Sequence, residues 1–474
     1  NKFEKVTRMD PGNSAAYYEL ALLFFKSKQY ENALKYIQQA TANDEGDNKW
    51  YLMLEGEIYS YLDQHNKAAE TYTKLIEKHP NLLDYYFELA YQYIKADEYE
   101  DALDVYNQLE TKIGFNENLA LQKQRLHLKI GDLESAIDEI QKLIDSDPDN
   151  AKYYESIAEI YRTNNMPEKA EAMFQKILEL DPYSPYALFN MADLKRKDGN
   201  REAYMDYLVK AFKNTDIDVD TKIRILFPYL SDPSTDSLKR KEALKLVKIA
   251  AEKHPESAKV FAIYGDFYDQ NDNPKKALEQ YEKALENDNS VFEVWQQTFF
   301  ILSELQQYDA LVERTEKALE LFPNQAIIYY FNGIALNQNK EYEEAINILE
   351  TGKDLTLGNK ILKAQILSTL GDAYHNLKKH EASDEAFEAS LEIDPENAYV
   401  LNNYSYYLSL RKEKLDRAEE LSKKSNELEP NTVSFLDTYG WIKYQQGDYV
   451  EAEKWIQKAI DNGGEENAVI LEHY

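Results

Sequence analysis

Histidines and clustered carboxylates are the side chains whose chemistry would be easiest to recognise from their spacing. His375 and His380 are five residues apart, which on one helix places them on different faces, whereas metal ligands that share a face are four apart. Acid pairs such as Glu343–Glu344 fall on exposed helix positions, while acid–base catalysis needs a pocket that perturbs a carboxyl group. The sequence therefore predicts no metal site and no catalytic residues.

Other motifs with a defined chemistry are absent from the sequence or are better explained by helix geometry. There is no phosphate-binding loop of the G-x-x-x-x-G-K type, and the lack of cysteine excludes disulfides, thiolate metal sites and a cysteine nucleophile. The "NGG" at 462–464 is typical of a helix C-terminus, and the "NYS" at 403–405 matches a glycosylation pattern but falls on a packed helix. We therefore predict a non-enzymatic protein without a cofactor.

The charge of the chain limits the class of partner. Its 474 residues carry a formal charge of −31, from 86 acidic and 55 basic side chains. A surface this acidic repels phosphate backbones, so we predict no nucleic-acid partner and favour neutral or basic polypeptides. The same acidic residues also fit a simpler role, in which they keep a long helical array soluble.

Hydropathy and the two ends of the sequence bear on its location. No apolar run approaches the ~18 residues of a membrane span, and no signal peptide is present. The chain begins at Asn1 and ends inside a helical pattern, "NAVILEHY". We therefore expect a piece trimmed from a longer protein, from which an export signal could have been removed.

A period of 34 residues organises the sequence. In "DPDNAKYYESIAEIYRTNNMPEKAEAMFQKILELDPYS", the prolines Pro148 and Pro182 are 34 residues apart. Between them, apolar and small residues recur at helical spacing in two groups, which the turn-forming stretch "TNNMPE" separates. Each unit is therefore predicted to be two antiparallel helices joined by a tight turn.

This helix–turn–helix unit, with small residues at fixed offsets and a closing proline, resembles the tetratricopeptide repeat (TPR). The match recurs along nearly the whole chain: "WYLMLEGEIYSYLDQHNKAAETYTKLIEKHP" contains Gly56 and Ala68, and "VFAIYGDFYDQNDNPKKALEQYEKAL" contains Gly265 and Ala277. A glycine or alanine in the first helix lets the second helix approach closely. The resemblance implies an all-α fold, a right-handed superhelical solenoid of about thirteen TPR repeats.

Departures from the repeat define the predicted domain organisation. An irregular repeat has its internal turn lengthened by "SDPSTDS", and we expect Pro228 and Pro233 to stop its first helix. We also expect the longer turn to disturb the stacking of repeats there. The predicted segments are the end of a preceding repeat (1–13), an N-terminal array of about six repeats (14–216), the irregular repeat (217–257), a C-terminal array of about six repeats (258–466) and the start of a truncated repeat (467–474).

In the TPR family the first helix of each repeat lines a concave binding surface, so the resemblance implies that the functional surface lies there. Aromatic rings beside asparagines suit an extended or helical peptide, because asparagine bonds a peptide backbone and rings cover its side chains. The alternative is that these rings pack between neighbouring repeats. The candidate peptide-binding residues are Tyr18, Trp50, Phe87, Tyr91, Tyr330, Tyr399, Asn402, Asn403, Tyr406, Trp441 and Tyr444.

One specific activity of the family can be checked on the sequence. The chaperone-binding members clamp a C-terminal carboxylate with lysine and asparagine side chains on their first helices. We predict that this clamp is absent, because aromatic, apolar and acidic residues take the corresponding positions. In the first three repeats these are Tyr18, Leu22, Met53, Glu57, Phe87 and Tyr91.

The sequence therefore predicts a scaffold that binds polypeptide segments of other proteins on its concave TPR surface. Two alternatives stay open: a structural or oligomerisation module, and a regulatory domain of a larger protein. The stretch "LNNYSYYLSLRKEKLDRAEELSKKSNELEPNTVSFLDTYGWIKYQQGDYVEAEKWIQKA" resembles long bacterial TPR proteins, several of which are exported or lipid-anchored. That resemblance implies an envelope-associated adaptor, with a periplasmic or outer-membrane-associated location favoured over the cytoplasm.

Overall fold

The chain folds into consecutive antiparallel helix pairs. A computed structural model describes residues 2–44, 47–231 and 237–474, and within these residues the regular structure is helical, without β-strands. Thirteen complete pairs follow one another along the described chain. The prediction of an all-α array of about thirteen two-helix repeats is confirmed.

The structure divides into two compact units, Asn1–Asn214 and Thr215–Tyr474. In its described residues, the first unit contains a leading helix and six helix pairs. They are α1 (Lys2–Met9), α2 (Ser14–Lys26), α3 (Tyr30–Asn43), α4 (Lys49–Tyr61), α5 (His65–Lys78), α6 (Asp84–Lys95), α7 (Tyr99–Ile113), α8 (Glu117–Ile130), α9 (Leu133–Ser146), α10 (Ala151–Thr163), α11 (Pro167–Leu180), α12 (Pro185–Lys197) and α13 (Arg201–Lys213).

The second unit contains seven helix pairs and a short last helix in its described residues. None of the helices described in either unit combines the length and the apolar composition needed to cross a membrane. The helices of the second unit are α14 (Val219–Ser231), α15 (Ser237–Lys253), α16 (Ala258–Asp269), α17 (Pro274–Asn287), α18 (Phe292–Glu304), α19 (Tyr308–Leu321), α20 (Ala326–Gln338), α21 (Tyr342–Asp354), α22 (Lys360–Asn376), α23 (His380–Ile393), α24 (Ala398–Arg411), α25 (Leu415–Leu428), α26 (Val433–Gln446), α27 (Tyr449–Ala459) and α28 (Ala468–His473).

The turn inside a pair is a recurring capping motif. The Gln29 amide donates a hydrogen bond to the Phe24 carbonyl oxygen (2.9 Å), and the Asn273 amide donates to that of Tyr268 (3.0 Å). The residue before each donor is left-handed, as Lys28 is with φ 58°. These two features form the Schellman arrangement that closes a helix C-terminus. Because the arrangement recurs, most first helices end in the same way and the second helix begins after the same short turn.

Small residues of the first helix touch one large side chain of the second helix. A Cβ atom placed on Gly265 would lie 2.5 Å from the Tyr281 ring, and a Cβ atom on Gly440 would lie 2.6 Å from Ile456. In both pairs the large residue comes sixteen positions after the glycine. Because these distances are far shorter than a carbon–carbon contact, only glycine permits this approach of the two helices.

Neighbouring repeats pack against each other through a series of local apolar clusters. At one such interface, Ala345 and Leu349 of α21 are buried together with Ile366, Leu370 and Ala373 of α22. Alanine at these positions lets the next repeat approach, and the larger side chains fill the remaining space. The core is therefore built from neighbour contacts rather than from one centre, as expected of a repeat array.

The first helix of the irregular repeat differs from its prediction. Pro228 lies inside α14, which continues to Ser231, so the expectation that this proline stops the helix is wrong. Proline removes one amide donor from the helical ladder, and α14 continues for three residues beyond it. The lengthened turn that was expected here, with Pro233, lies at residues 232–236, outside the described residues.

The close glycine contact predicts a specific loss of stability. Gly265→Ala should lower the free energy of unfolding by about 1–3 kcal/mol, because the added methyl group overlaps the Tyr281 ring. The matched control is Gly12→Ala, whose Cβ would meet only Asp10 Oδ1, at 3.6 Å. That variant should stay within roughly 0.5 kcal/mol of the wild type. Urea unfolding followed by circular dichroism measures both, and equal stability of the two variants would contradict this packing.

Candidate functional site

Four first helices of the second unit, α20, α22, α24 and α26, present larger side chains, one of them acidic and two aromatic, beside their small packing residues. Gly371 of α22 leaves no room for a Cβ atom, which would lie 2.7 Å from Phe387 of α23. The next residue in each helix is turned about 100° further round the axis. It therefore lies beside the packing contact rather than in it. These residues are Ile334, Asp372, Tyr406 and Trp441.

Residues of α20, α22 and α24, with the turn before α21 and its first residue, line an open cavity of about 370 Å³. This volume lies within the range of roughly 300–1,000 Å³ that is typical of ligand pockets. Four of its ten lining residues carry side-chain amides, more than carry any other group, so we name it the amide cavity. Its lining residues are Ile334, Asn337, Gln338, Lys340, Tyr342, Thr369, Asp372, Asn376, Asn403 and Tyr407.

Three asparagines contribute the amides that distinguish this cavity. The Asn337 amide nitrogen donates to the backbone oxygen of Thr369 (2.9 Å), and that of Asn376 donates to the backbone oxygen of Asp372 (2.8 Å). Asn403 is exposed. The Asn337 Oδ1 atom is buried and accepts no hydrogen bond from the described residues. A buried acceptor without a donor costs about 1–3 kcal/mol, so Asn337 has the most to gain from a bound N–H donor.

Asp372 is the acidic residue among the lining residues. Its Oδ1 atom accepts a hydrogen bond from the Tyr407 hydroxyl (3.0 Å). Burial raises the pKa of Asp372 to about 6, although the Tyr407 bond acts in the opposite direction. Burial and then this carboxylate raise the pKa of both Tyr407 and the partly buried Tyr330. At neutral pH, Asp372 is therefore mostly ionised, while the two phenols stay protonated.

His375 supports the Tyr407 ring. The two rings are stacked, with centroids 3.7 Å apart and an interplanar angle of 12°. Burial, followed by the nearby Arg411 and His380, lowers the pKa of His375 to about 4, so this imidazole is neutral at physiological pH. A neutral ring beside Tyr407 leaves Asp372 without a histidine cation.

The two histidines singled out from the sequence lie close together. The His375 and His380 rings have centroids 5.8 Å apart. The expectation that they occupy different faces of one helix is wrong, because the turn between α22 and α23 reverses the chain and brings the second ring back to the first. Across the described residues, no group of three or more histidine, aspartate or glutamate side chains could hold a metal ion.

An aromatic cluster lies further along the same series of helices. The Trp441 ring stacks on Tyr444 (5.3 Å between centroids) and on His473 (4.2 Å). Asp437 accepts from the His473 ring nitrogen (2.9 Å). The Trp441 indole N–H is buried and has no acceptor among the described residues. Burial and then Asp437 raise the pKa of Tyr406, which places this phenol within electrostatic reach of the cluster.

The other predicted residues of α24 have different surroundings. Tyr399 is 61% exposed, and its ring meets Phe435 edge-on at 5.3 Å. Asn402 is only 6% exposed, and its Oδ1 atom has no donor among the described residues. Asn403, the next residue, lines the amide cavity. Of these two asparagines, Asn403 is the one that presents its amide to solvent.

The four predicted residues of the first unit divide into two kinds. Tyr18 and Phe87 are partly buried, and each packs on a tyrosine, at 5.0 and 5.9 Å between centroids. Trp50 and Tyr91 are 56% and 46% exposed. The first two rings therefore contribute to packing, while the last two present aromatic surface to solvent.

Sequence reasoning missed the residues that give the amide cavity its polarity: Asn337, Asp372, Asn376 and Tyr407. Their positions within the repeat, relative to the packing glycine, could have identified them. Asp372 directly follows a packing glycine, and Asn337 and Asn376 come four and five residues after theirs. A search for aromatic rings beside asparagine passed over these positions.

Four family models described as tetratricopeptide repeat match this sequence, at residues 108–326, 364–397, 1–48 and 51–82. The similar curated proteins include two TPR repeat-containing proteins. The one from Pseudomonas aeruginosa is 30% identical over 34% of this chain, and the one from Methanocaldococcus jannaschii is 21% identical over 85% of it. The matches span 28% and 62% of the length of these relatives, respectively.

A solved structure also resembles the chain. It is a chain of the APC/C heterotetramer Cut9-Hcn1, with 12% identity and a TM-score of 0.42 over 97% of this chain and 96% of that one.

Because the pKa of Asp372 is raised, we predict that its replacement increases the stability of the folded protein, and that the increase depends on pH. The folded-state pKa, about 6, lies above the usual value near 3.9, so the folded protein holds the proton more tightly and loses stability as pH rises through this window. Asp372→Asn removes the charge and can still accept the Tyr407 bond. It should stabilise the protein by roughly 1–3 kcal/mol at about pH 7.5 and have little effect near pH 4.

Urea unfolding at a series of pH values tests this prediction. The matched control is Asp354→Asn, an exposed aspartate at the end of α21, which should shift stability by less than about 0.5 kcal/mol throughout. A parallel pH profile for the two variants would show that burial does not perturb Asp372.

Proposed function

The chain belongs to the tetratricopeptide repeat family, whose repeats form protein–protein interaction scaffolds, and from that premise we propose that the first helices of its second unit bind an extended segment of another polypeptide. The observation that carries this proposal is the amide cavity between α20, α22 and α24. The three helices belong to consecutive repeats. A segment that runs across them would meet the lining residues of one repeat after another.

Amide side chains suit this role because they resemble the peptide group. An extended chain presents an N–H and a C=O at each residue, and each asparagine offers both a donor and an acceptor. Asn337, Asn376 and Asn403 supply such groups from three successive repeats. Contacts to the backbone provide affinity without requiring one particular sequence, in the way that extended peptides pair with other surfaces.

Aromatic side chains further along provide apolar cover. Tyr406 and Trp441 follow the packing residues of α24 and α26. Tryptophan and tyrosine combine a large contact area with a polar group. For this reason they are enriched among the residues that contribute most of the binding energy at interfaces. The buried Trp441 indole N–H, which lacks an acceptor among the described residues, is a donor that a bound carbonyl group could satisfy.

We propose a binding role rather than a catalytic one. Support comes from the composition of the cavity, in which amide and hydroxyl groups accompany a single carboxylate and the exposed amine of Lys340, which forms no ion pair with it. Such groups form hydrogen bonds readily, but proton transfer at neutral pH generally relies on a positioned acid and base pair.

We further propose that this scaffold acts as an envelope-associated adaptor in a bacterium. Support for the envelope comes from the resemblance of residues 401–459 to long bacterial TPR proteins, several of which are exported or lipid-anchored. The similarity to the Pseudomonas aeruginosa protein supports a bacterial source alone. Fractionation of the source cells should then recover the protein with the envelope. Recovery in the cytosol would contradict the adaptor role and leave peptide binding untouched.

Peptide selection tests the binding proposal directly. A phage library of random peptides of about twelve residues, selected on the wild-type chain, should yield binders that compete for one site. For the most enriched peptide, Asn403→Ala should weaken binding at least tenfold, which is about 1.4 kcal/mol. Fluorescence polarisation with the labelled peptide gives the dissociation constants.

The matched control is Asn347→Ala, because Asn347 is an exposed asparagine of α21, outside the cavity lining. It should bind the peptide as the wild type does, and both variants should melt at the wild-type temperature. Equal affinity of the two variants would place the peptide elsewhere. A chain that selects no peptide and self-associates in light scattering would favour the oligomerisation alternative.

A further inference from the structure

Asp372 differs from two neighbouring acids, Asp384 and Glu419, in what surrounds it. Asp384 is paired with Arg411 (2.5 Å) and Lys414 (2.6 Å), and Glu419 is paired with Lys443 (2.5 Å). Among the described residues, Asp372 has no basic group within ion-pair distance, and the Tyr407 hydroxyl is its side-chain donor. A part-buried carboxylate without a cation is costly, and Asp384 and Glu419 show one way in which this unit offsets that cost.

The walls beside Asp372 suit the body of a long cationic side chain. Tyr342, Tyr407 and Ile334 line the same cavity, and Tyr330 lies within electrostatic reach of the carboxylate. Lysine and arginine bury their methylene stems along apolar surface while the charged head seeks a polar partner. Ring faces also attract a cation held above them.

The charges around the cavity also favour a cationic side chain. Asp372 and Lys340 are the charged residues among those that line it. Lys340 is an exposed residue of the turn before α21, with φ 65°, and it forms no ion pair with Asp372. The basic residues of the neighbouring first helices, Arg411 and Lys443, are engaged by Asp384 and Glu419. The chain as a whole carries a charge of −31, which would draw a basic segment toward it.

We infer that the segment bound by the second unit places a lysine or arginine side chain against the Asp372 carboxylate, so that the amide cavity selects basic peptides. This inference rests on the proposed function and adds the chemistry of the partner. The three asparagines hold the peptide backbone, and Asp372 reads one side chain. The cation completes an arrangement in which Tyr407 already donates to one carboxylate oxygen.

Titration gives the inference a second, independent signature. Burial raises the pKa of Asp372 to about 6, so the carboxylate gains its charge between weakly acidic and neutral pH. His375, at about 4, stays neutral through that interval. The affinity for a basic peptide should therefore rise over this range, and the rise should disappear in Asp372→Asn.

The test is a coupled substitution in protein and peptide. Random peptides selected on the wild type should be enriched in lysine or arginine at one position, and the same library selected on Asp372→Asn should lose that bias. The most enriched peptide is then synthesised with norleucine in place of its key lysine. Either change alone should weaken binding at least tenfold, and the two together should weaken it no further.

Two further variants sharpen the outcome. Asp354→Asn, the exposed control, should keep both the basic bias and its pH dependence. Lys340→Ala removes the one cation of the cavity lining and should tighten binding of the basic peptide, because it removes a like charge from the site. Because Asp372→Asn is expected to be at least as stable as the wild type at neutral pH, a loss of binding in this variant cannot be assigned to unfolding.

The results separate this inference from the proposed function. Peptides that depend on Asn403, but bind wild type and Asp372→Asn equally, would overturn the cationic partner and leave peptide binding intact. Enrichment of acidic or purely apolar peptides would overturn it as well. A chain that selects no peptide would remove both.

Discussion

The close approach of the two helices in each repeat is the constraint on which the rest of the structure depends. Gly265 against Tyr281, Gly371 against Phe387 and Gly440 against Ile456 leave no room for a Cβ atom. This contact holds one face of the first helix against the second helix of the same repeat. It thereby determines which residues of the first helix lie on the adjacent face. Asp372 lines the amide cavity because it follows Gly371 by one residue, and the contact with Phe387 holds that register.

Several polar groups on the described first helices of the second unit are buried without a partner. Among the described residues, Asn337 Oδ1, Asn402 Oδ1 and the Trp441 indole N–H are buried and unbonded, and Asp372 carries a charge at neutral pH. Each lowers the stability of the second unit. The repeat architecture tolerates this loss because local clusters, such as that of α21 and α22, support each interface separately. Residues that bind a partner often lower the stability of the free protein.

Charge and shape act on the same partner in this arrangement. An overall charge of −31 attracts basic segments at long range, and the neighbouring acids Asp384 and Glu419 are already neutralised by arginine and lysine. The carboxylate of Asp372 is thus the acidic group that the cavity offers at short range. Backbone recognition by asparagine and side-chain recognition by one carboxylate would make a scaffold that accepts many extended segments but prefers those with a suitably placed cation.

The sequence by itself determined the repeat, its two helices and the positions of the small packing residues, because these follow from local spacing and side-chain volume. Gly56, Gly265 and Gly440 could be assigned from the period alone. Only the tertiary structure decided that Asn337, Asp372 and Asn403 share a cavity, that Asn402 is buried, and that His375 meets His380. These depend on the rotation between successive helices and on the path of each turn, which a 34-residue period does not specify. The structure also places Pro228, a residue that locally favours a helix stop, inside α14.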